Sequence, residues 1–383
     1  MDSLDRVVPP SGRHGGDGPA VARALGLDPG SLLDLSQNLN PFAPDVATLA
    51  ALHLGELRRY PDPAAASRLL AGAMGVDPAR LVLTNGAAEA IGLVAGEIGG
   101  RVQSEPEFGL HPRGDAGPVW RSDPHNVALR VLPPRVRRDA GPVWRSDPHN
   151  PSGRLAGSDD AADVWDEAFY ALATGRWTAG RDGVVVGSLT KTFACPGLRL
   201  GYLIADDVAR FAHRQPQWSV GSLALALLAD LLERADPVGW ATAVAGARRD
   251  LVELLETRGL TVQAADAPWV LVQAPGLREA LAPHGVLVRD CAGFGLRGTA
   301  RIAVGDAGDL ARLAAALDRA GFTDEAADTG LGAAPGAAGN GAGTGRRPDI
   351  AATVSDAGDS AVGGRAADGG GRSRREPVER FLG

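Results

Sequence analysis

The chain has 383 residues, a formal net charge of −7, 44% hydrophobic residues and 22% charged residues. This length supports one large or two medium globular domains, and the acidic charge gives no reason to expect a nucleic-acid partner. Two cysteines are too few for a disulfide framework or a cysteine-rich zinc site. Because no apolar run reaches membrane-spanning length and the N-terminus lacks a signal-peptide pattern, we expect a cytoplasmic protein without a membrane partner.

The N-terminal segment combines short predicted elements with turns. His14 lies in a Gly-rich loop before a predicted helix at 20–25, and it is either a ligand contact or, as is commoner for a loop histidine, simply solvated. A short predicted strand at 32–35 breaks into an Asn- and Pro-rich turn that contains Asn38. Tyr60 follows in a segment that is expected to be extended, because a proline disfavours helical backbone in the residue before it. A predicted helix at 64–73 comes next.

A predicted strand at 81–83 leads through a small-residue turn into a helix. The turn contains Gly86, Ala87 and Ala88, whose small side chains would let a phosphate approach the backbone. Strand, turn and helix in this order point backbone N–H groups at an anion. Taken alone, the segment is more typical of an ordinary strand-to-helix turn than of a phosphate site. The phosphate interpretation becomes the better one because Ser188 and Arg199, farther along the chain, can also bind a phosphate.

Residues 115–126 and 139–150 are the same twelve residues, DAGPVWRSDPHN. Only the second copy, which ends in Asn150, continues into Pro151-Ser152-Gly153. A repeat present only twice does not indicate a solenoid, which needs several stacked units. We therefore expect the second copy to take the working register and the first to form an irregular surface excursion.

Two segments in the middle of the chain indicate cofactor chemistry. Asp166 ends a predicted strand, the position where open α/β sheets bind ligands, although it could also cap a helix. Lys191 follows an apolar strand at 184–186, with Ser188 and Arg199 on either side. A partly desolvated lysine beside another cation can act as a nucleophile and form a Schiff base, and the hydroxyl and guanidinium suit a phosphate. This combination suggests pyridoxal phosphate; a buried strand, a turn and a surface lysine are the alternative.

The remaining chain alternates helices and strands before a low-complexity tail. Predicted helices lie at 222–234, 243–258 and 309–320, and predicted strands at 269–272, 286–288 and 300–304. This alternation suggests a second, smaller α/β domain. The Gly/Ala-rich residues 323–383 contain almost no large apolar side chains, so we expect them to be disordered.

With these segments in order, residues 13–321 resemble the fold-type I pyridoxal-phosphate enzymes of the aminotransferase class I/II superfamily. The opening His14-Gly15-Gly16 and the run from Asp34 to Pro41 resemble its cobalamin-pathway branch, which contains threonine-phosphate decarboxylases and is close to histidinol-phosphate aminotransferases. The resemblance implies an α/β fold with a mostly parallel, seven-stranded-type sheet in a large domain. It places an N-terminal arm at 1–45 against a small domain at 206–322, with the cofactor domain at 46–205 containing the duplicated segment 115–150.

The resemblance also implies roles for individual residues. Lys191 would bind the cofactor covalently and move the proton at the substrate carbon, and Asp166 would pair with the cofactor ring nitrogen. Asn150 would bond the phenolic oxygen, and Phe108 would stack on the ring. The cofactor phosphate would be held by Gly86, Ala87, Ala88, Ser188, Arg199 and, from the other subunit of a homodimer, Tyr60. The amino-acid substrate, which could be phosphorylated, would be held by Arg301 at its carboxylate and by Arg289, Asn38 and His14; a solvated loop charge is the alternative for Arg289.

Two departures from the family pattern bear on function. Phe169 occupies a position where many relatives have tyrosine. Phenylalanine at this position is typical of the threonine-phosphate decarboxylases, so it favours that branch. Asp166 follows Asn150 by only sixteen residues, so a helix and part of a strand of the large domain are expected to be missing. Three functions stay open: decarboxylation of L-threonine-O-3-phosphate, transfer of an amino group to a 2-oxo acid, and a non-catalytic relative that binds cofactor or partner without turnover.

Overall fold

The computed structural model describes residues 7–12, 14–114 and 141–323. The first copy of the repeat and the tail from residue 324 lie outside them, so the expectations for both stay predictions. The strands are β1 (Leu33–Asp34), β2 (Leu81–Asn85), β3 (Arg101–Val102), β4 (Val143–Ser146), β5 (Val164–Asp166), β6 (Val184–Ser188), β7 (Leu200–Ile204), β8 (Thr261–Ala264), β9 (Trp269–Gln273), β10 (Val286–Leu287), β11 (Arg289–Asp290) and β12 (Thr299–Ala303).

Helices connect and cover these strands. The α-helices are α1 (Gly18–Leu25), α2 (Val46–Ala51), α3 (Ala64–Met74), α4 (Gly86–Ile98), α5 (Tyr170–Thr174), α6 (Leu189–Thr192), α7 (Ala209–Ala212), α8 (Ser222–Glu233), α9 (Pro237–Glu256), α10 (Leu277–Leu281) and α11 (Ala307–Arg319). Short 3₁₀ turns lie at Pro29–Ser31, Leu54–Arg58, Pro78–Arg80, Ala282–His284 and Ala292–Phe294. None of the helices in the described ranges combines the length and the apolar character that a membrane crossing requires.

The largest sheet has the strand order β2-β7-β6-β5-β4-β3. Strands β3 to β6 are parallel, and β7 runs antiparallel to both of its neighbours. Six strands are therefore found in the described residues, where a seven-stranded-type sheet was expected. Helix α4 packs on one face of the sheet, while α3 and α8 pack on the other, so the central strands are buried on both sides.

A second, antiparallel sheet has the order β11-β12-β9-β8. Its apolar face packs against α9 and α11 in a separate core cluster. The N-terminal strand β1 pairs in parallel with β10, with Leu33 opposite Val286. This pairing brings the Asn-rich turn after β1 next to the second sheet. Helix α9 begins at Pro237, six residues before the predicted start, because Asp236 caps it by accepting from the Gly239 backbone N–H.

The connection between β4 and β5 contains neither helix nor strand. Residues 147–163 run as turns and irregular chain, although β4 and β5 are parallel neighbours. Such a crossover usually carries a helix over the face of the sheet. Here Asp160 covers that face by pairing with the buried Arg145 of β4 at 2.9 Å, and Asp163 accepts from the Val143 backbone N–H at 2.8 Å. These polar contacts, together with Ala156 and Ala162, which pack against the core of the large sheet, hold the connection in place of a helix.

Candidate active site

Three chain segments converge at one edge of the large sheet. Strands β2, β5 and β6 share a direction, so their carboxyl ends lie along the same edge. That edge carries Gly86 after β2, Asp166 at the end of β5 and Ser188 at the end of β6. The carboxyl edge of the parallel strands is where open α/β sheets bind ligands.

Lys191 lies in the single-turn helix α6, directly after β6. Its Nζ donates to the backbone carbonyl of Gln37 at 2.8 Å. Burial, then the nearby charges of Arg301, Arg199 and Arg289, lower the pKa of Lys191 from 10.5 to about 8, while Asp34 acts in the opposite direction. A substantial neutral fraction is therefore accessible close to neutral pH, which is the condition for a nucleophilic amine.

A backbone cradle forms where α4 begins. Gly86 has φ of 69°, and a Cβ built on it would lie 2.4 Å from Nη2 of Arg199. A Cβ on Gly201 of β7 would lie 2.4 Å from the carbonyl carbon of Gly86. Both glycines therefore permit an approach that any larger residue would block. The first-turn N–H groups at Gly86, Ala87 and Ala88 have no partner within the helix, and with the Arg199 guanidinium they can bind a phosphate.

Asp166 is held by two contacts at the end of β5. Its Oδ2 lies 3.0 Å from Nε2 of His111, and its Oδ1 accepts from the Ala168 backbone N–H at 3.0 Å. The side chain of His111 is fully buried. The carboxylate is thus oriented at the sheet edge by a histidine from the segment that follows β3.

Arg301 is the centre of a polar group contributed by both sheets. Its Nη1 donates to Oδ1 of Asn150 at 2.9 Å. On its other side, the Asn38 amide oxygen accepts from Nη2 at 3.0 Å and from Nε at 3.3 Å. Burial and the charge of Arg289 lower the pKa of Arg301 to about 9. The two amide oxygens accept hydrogen bonds from the Arg301 guanidinium but do not neutralise its positive charge. The buried guanidinium can therefore bind an anion.

Arg289 sits directly opposite Arg301 in the neighbouring antiparallel strand. It is buried, and its guanidinium lies 4.4 Å from the ring centroid of Phe294. The solvated loop charge considered for this residue is therefore wrong. Desolvation lowers the pKa of Arg289, whereas nearby Cys291 and Asp17 act in the opposite direction.

Ring contacts show where Phe108, His14 and Tyr60 lie. Phe108 packs edge-on against His111, with ring centroids 5.5 Å apart, and tilted against His14 at 5.6 Å. Tyr60 is 80% exposed and packs on Trp218 at 4.7 Å. The structure therefore brings His14 to Phe108, but it places Tyr60 on the surface of this subunit.

Sequence reasoning did not identify His111, Glu107 or the Gln37 carbonyl as parts of this site. Glu107 and His111 are four residues apart around Phe108, and the carboxylate–histidine spacing was the available signal. A backbone carbonyl such as that of Gln37 leaves no residue-type signal. The contact between Lys191 and Gln37 joins positions 154 residues apart, so only the fold reveals it.

The residues fit pyridoxal phosphate. The glycine cradle with Arg199 and Ser188 matches a phosphate, Lys191 is placed and desolvated as an amine that could bond an aldehyde, and Asp166 offers a carboxylate to a ring nitrogen. Among the described residues, no group of three or more acidic, histidine or cysteine side chains could hold a metal ion.

Comparisons with known proteins support the same assignment. The family profile "Aminotransferase class I and II" matches residues 143–317. A threonine-phosphate decarboxylase from Salmonella typhimurium is 30% identical over 360 residues, which cover 79% of this chain and 95% of the relative. A histidinol-phosphate aminotransferase from Dechloromonas aromatica is 27% identical over 350 residues, with 78% and 93% covered.

Solved structures show the same fold. A histidinol-phosphate aminotransferase from Sinorhizobium meliloti in complex with pyridoxal-5'-phosphate gives a TM-score of 0.62 at 17% identity, covering 79% of this chain and 94% of that one. The L-threonine-O-3-phosphate decarboxylase from Porphyromonas gingivalis gives 0.59 at 20% identity, with 75% and 98% covered. The chain therefore belongs to the aminotransferase class I and II family, and it is a pyridoxal-phosphate-dependent enzyme with the fold-type I architecture.

Proposed function

We propose that the enzyme decarboxylates a phosphorylated amino acid of the L-threonine-O-3-phosphate type. The observation that carries this proposal is the buried pair Arg289 and Arg301, opposite each other in neighbouring strands. Both guanidinium groups lower the pKa of Lys191, so both act at the site of the amine. Two desolvated guanidinium groups suit a substrate that carries a carboxylate and a phosphate on one short molecule.

Each anionic group has a distinct place in this proposal. Arg301, fixed between Asn38 and Asn150, binds the substrate carboxylate, and Arg289 binds the substrate phosphate. An anion bound at either position offsets the cost of burying the two positive charges and so raises the lowered pKa values of both arginines. Substrate binding therefore also changes the positive charge that Arg289 and Arg301 exert on Lys191.

Residues of this chain hold the cofactor and the substrate and move the proton. The bound pyridoxal phosphate supplies an electron sink for the bond that breaks at the substrate α-carbon. Lys191 holds and moves the proton at that carbon, and Asp166 pairs with the ring nitrogen. Asn150 bonds the phenolic oxygen and Phe108 contacts the ring, while Gly86, Ala87, Ala88, Ser188 and Arg199 hold the phosphate. Asn38 and His14 border the substrate.

An aminotransferase is the second candidate, because relatives named histidinol-phosphate aminotransferase match at 27% and 28% identity over most of their length. It would use the same cofactor contacts. The bond that stands perpendicular to the cofactor ring breaks, so small changes in substrate placement decide between the two reactions.

Product mass analysis separates the candidates. Purified protein with pyridoxal phosphate and L-threonine-O-3-phosphate should yield a product lighter by CO2, and Lys191→Ala should abolish it. If the substrate stays intact, the decarboxylase proposal is wrong, and 2-oxo acid acceptors with histidinol phosphate as donor then test the aminotransferase. Absence of Lys191-dependent turnover with every phosphorylated donor would leave a non-catalytic relative.

We further propose a homodimer as the working form. Tyr60 is exposed and lies beside exposed apolar side chains, an arrangement typical of an association surface. From this surface, Tyr60 reaches the cofactor phosphate of the partner subunit. Within each subunit we propose the arm, cofactor domain and small domain with boundaries at residues 45, 205 and 322.

A further inference from the structure

One guanidinium group joins the ends of two neighbouring strands of the large sheet. Asp147 and Glu167 directly follow β4 and β5, and their side chains are 1% and 0% exposed. Arg181, in the loop before β6, donates from Nη1 to Oε1 of Glu167 at 2.9 Å and from Nη2 to Oδ2 of Asp147. Its guanidinium also lies 3.9 Å from the ring centroid of Trp165. Arg181 therefore bridges the two strand ends.

This bridge supplies the countercharge for both carboxylates. Within 4 Å, Arg181 is the cationic side chain that the described residues offer to Asp147 and to Glu167. Burial and, to a smaller extent, the charge of Asp147 raise the pKa of Glu167, whereas the Thr178 side chain and the charge of Arg181 lower it. Two buried carboxylates this close are costly without a shared cation, and the planar fork of an arginine can bond both.

Asp147 also closes the turn that carries Asn150. Its Oδ1 accepts from the Ala156 backbone N–H at 2.8 Å, and its backbone N–H donates to the Asp166 carbonyl at 2.8 Å. Through Asp147, Arg181 therefore connects the turn that holds Asn150 to the strand end that holds Asp166.

Other contacts of this turn reach the second sheet instead. Arg301 bonds the Asn150 side chain at 2.9 Å, and Nε1 of Trp269 donates to the Pro151 carbonyl at 2.8 Å. These contacts hold the turn from outside the large sheet. Because the β4–β5 connection lacks a helix, the Arg181 bridge is the charged contact that holds the turn against β5 itself.

We propose that Arg181 is a positioning residue for the cofactor, because it fixes the spacing between Asn150 and Asp166. The ring of pyridoxal phosphate is rigid, so its phenolic oxygen and its nitrogen lie a fixed distance apart. Two protein groups can bond both atoms only if their own spacing is held to within about half an ångström. This inference rests on the proposed placement of Asn150 on the phenolic oxygen and of Asp166 on the ring nitrogen.

The test is the pH titration of the visible absorbance of bound pyridoxal phosphate in a variant that combines Arg181→Met, Asp147→Asn and Glu167→Gln. Neutral replacement of a whole buried ion pair is often tolerated. An amide N–H on the phenolic oxygen favours its deprotonated form, so a displaced Asn150 should raise the apparent cofactor pKa by about half a unit or more. Removing two carboxylates and one guanidinium takes away net negative charge, which by itself lowers this pKa. A rise therefore reports displacement, and a fall or no change would overturn the proposal.

Arg181→Lys decides the question if the combined variant does not fold. It keeps the charge, but one ammonium group cannot bond both carboxylates as a fork, so the cofactor pKa should again rise. A wild-type titration would then overturn the proposal. Arg176→Lys, at an exposed arginine of the same loop, is the matched control and should leave the titration unchanged. An equal shift in this control would contradict a specific role for the bridge.

A purely structural role of Arg181 gives a different pattern, namely lower stability of the cofactor-free variant in urea with an unchanged cofactor titration. That pattern would also overturn the proposal. Asn150→Ala separates the inference from the placement on which it rests. If Asn150→Ala leaves the titration unchanged, the placement is wrong and the inference falls with it. If Asn150→Ala alone raises the pKa, the placement holds and the role of Arg181 is wrong. The titration uses no substrate, so its outcome does not depend on which reaction the enzyme catalyses.

Discussion

At the scale of single residues, the site is defined by a lysine surrounded by cations. Burial and three arginines lower the pKa of Lys191 to about 8, and only Asp34 opposes them. The folded chain thus gives up a proton that the unfolded chain keeps between pH 8 and the ordinary value of 10.5. The contribution of Lys191 to stability therefore rises as pH increases through this window, and below pH 8 its buried charge destabilises the fold.

Replacing the charge should stabilise the cofactor-free chain. We expect Lys191→Met to raise the free energy of unfolding at pH 7 by on the order of 2 kcal/mol, after allowance for the lost bond to Gln37. The gain should shrink toward pH 10, where the folded wild-type lysine is already neutral. Thermal denaturation of both proteins at pH 7 and pH 10 measures this; a gain independent of pH would contradict the assigned charge state.

The glycine cradle gives a second residue-scale prediction. Gly86→Ala would place a methyl group 2.4 Å from Arg199 Nη2 at a residue with φ of 69°. The strain should cost about 1.4 kcal/mol or more at the phosphate site, so the Kd for pyridoxal phosphate should rise roughly ten-fold or more. Gly92→Ala, in the same helix with open space around its Cβ, is the matched control. Equal effects in a cofactor titration would show that Gly86 has no special role.

Local sequence pattern was informative for some residues and silent for others. Lys191, Ser188 and Arg199 share one stretch, and Asp166 ends an apolar strand, so residue types in order sufficed to propose their roles. The Arg301–Asn38 contact joins the two ends of the described chain and depends on the pairing of β1 with β10. A lone histidine such as His111 is usually solvated, and only burial beside two carboxylates distinguishes it.

At the scale of elements, the β4–β5 connection lacks a helix and is held by charged and polar contacts in addition to the packing of Ala156 and Ala162 against the core. Arg145 is 8% exposed, and Asp160 accepts from it and from the Gly157 backbone N–H at 2.9 Å each. Gln103 of the neighbouring segment also contacts the Arg145 guanidinium at 3.3 Å. The connection is held over the sheet face by these bonds.

Removing the carboxylate should loosen this connection. Asp160→Asn leaves the Arg145 charge buried without its partner, and we expect a loss of roughly 2 kcal/mol of stability. Asp159→Asn changes the adjacent, exposed carboxylate and should cost less than about 0.5 kcal/mol. Urea denaturation of both variants gives the comparison; equal stabilities would show that the ion pair does not hold the connection.

Elements with a long or strongly apolar pattern followed from the sequence, as α3, α8 and β6 illustrate. Strand β4 did not, because Arg145 and Ser146 interrupt its apolar pattern, and tertiary contacts supply their partners. Strand β7 was not predicted either, because it directly follows the segment that contains Lys191 and was read as part of it. Its antiparallel direction is a non-local property that periodicity does not encode.

At the scale of the whole molecule, exposed apolar side chains mark a surface for a second copy. The association surface comprises Leu52, Leu54, Leu57, Tyr60 and Trp218, which are 54% to 80% exposed. Leu54 and Leu57 lie in one 3₁₀ turn, and Ser222 of α8 donates to the Glu56 carbonyl within it at 2.7 Å. A rigid apolar surface beside Tyr60 suits the proposed homodimer.

A charge on this surface should weaken association. Leu57 is 63% exposed, so Leu57→Glu should leave the subunit folded while raising the dimer dissociation constant at least ten-fold. Analytical ultracentrifugation measures this, and Val238→Glu, at a residue 67% exposed in α9, is the control away from the surface. A wild-type monomer, or equal effects of both variants, would contradict the proposed interface.

Lys191 is the residue on which the proposed cofactor chemistry depends most directly. Lys191 is the only lysine in the 383 residues, so its labelling is unambiguous. The decisive measurement is peptide mass analysis after the protein is incubated with pyridoxal phosphate and reduced with borohydride, beside Lys191→Arg. We predict one pyridoxyl phosphate on the peptide that contains Lys191, and none in the variant. A cofactor that binds tightly but leaves this peptide unlabelled, or labels only the chain's amino terminus, would contradict the account.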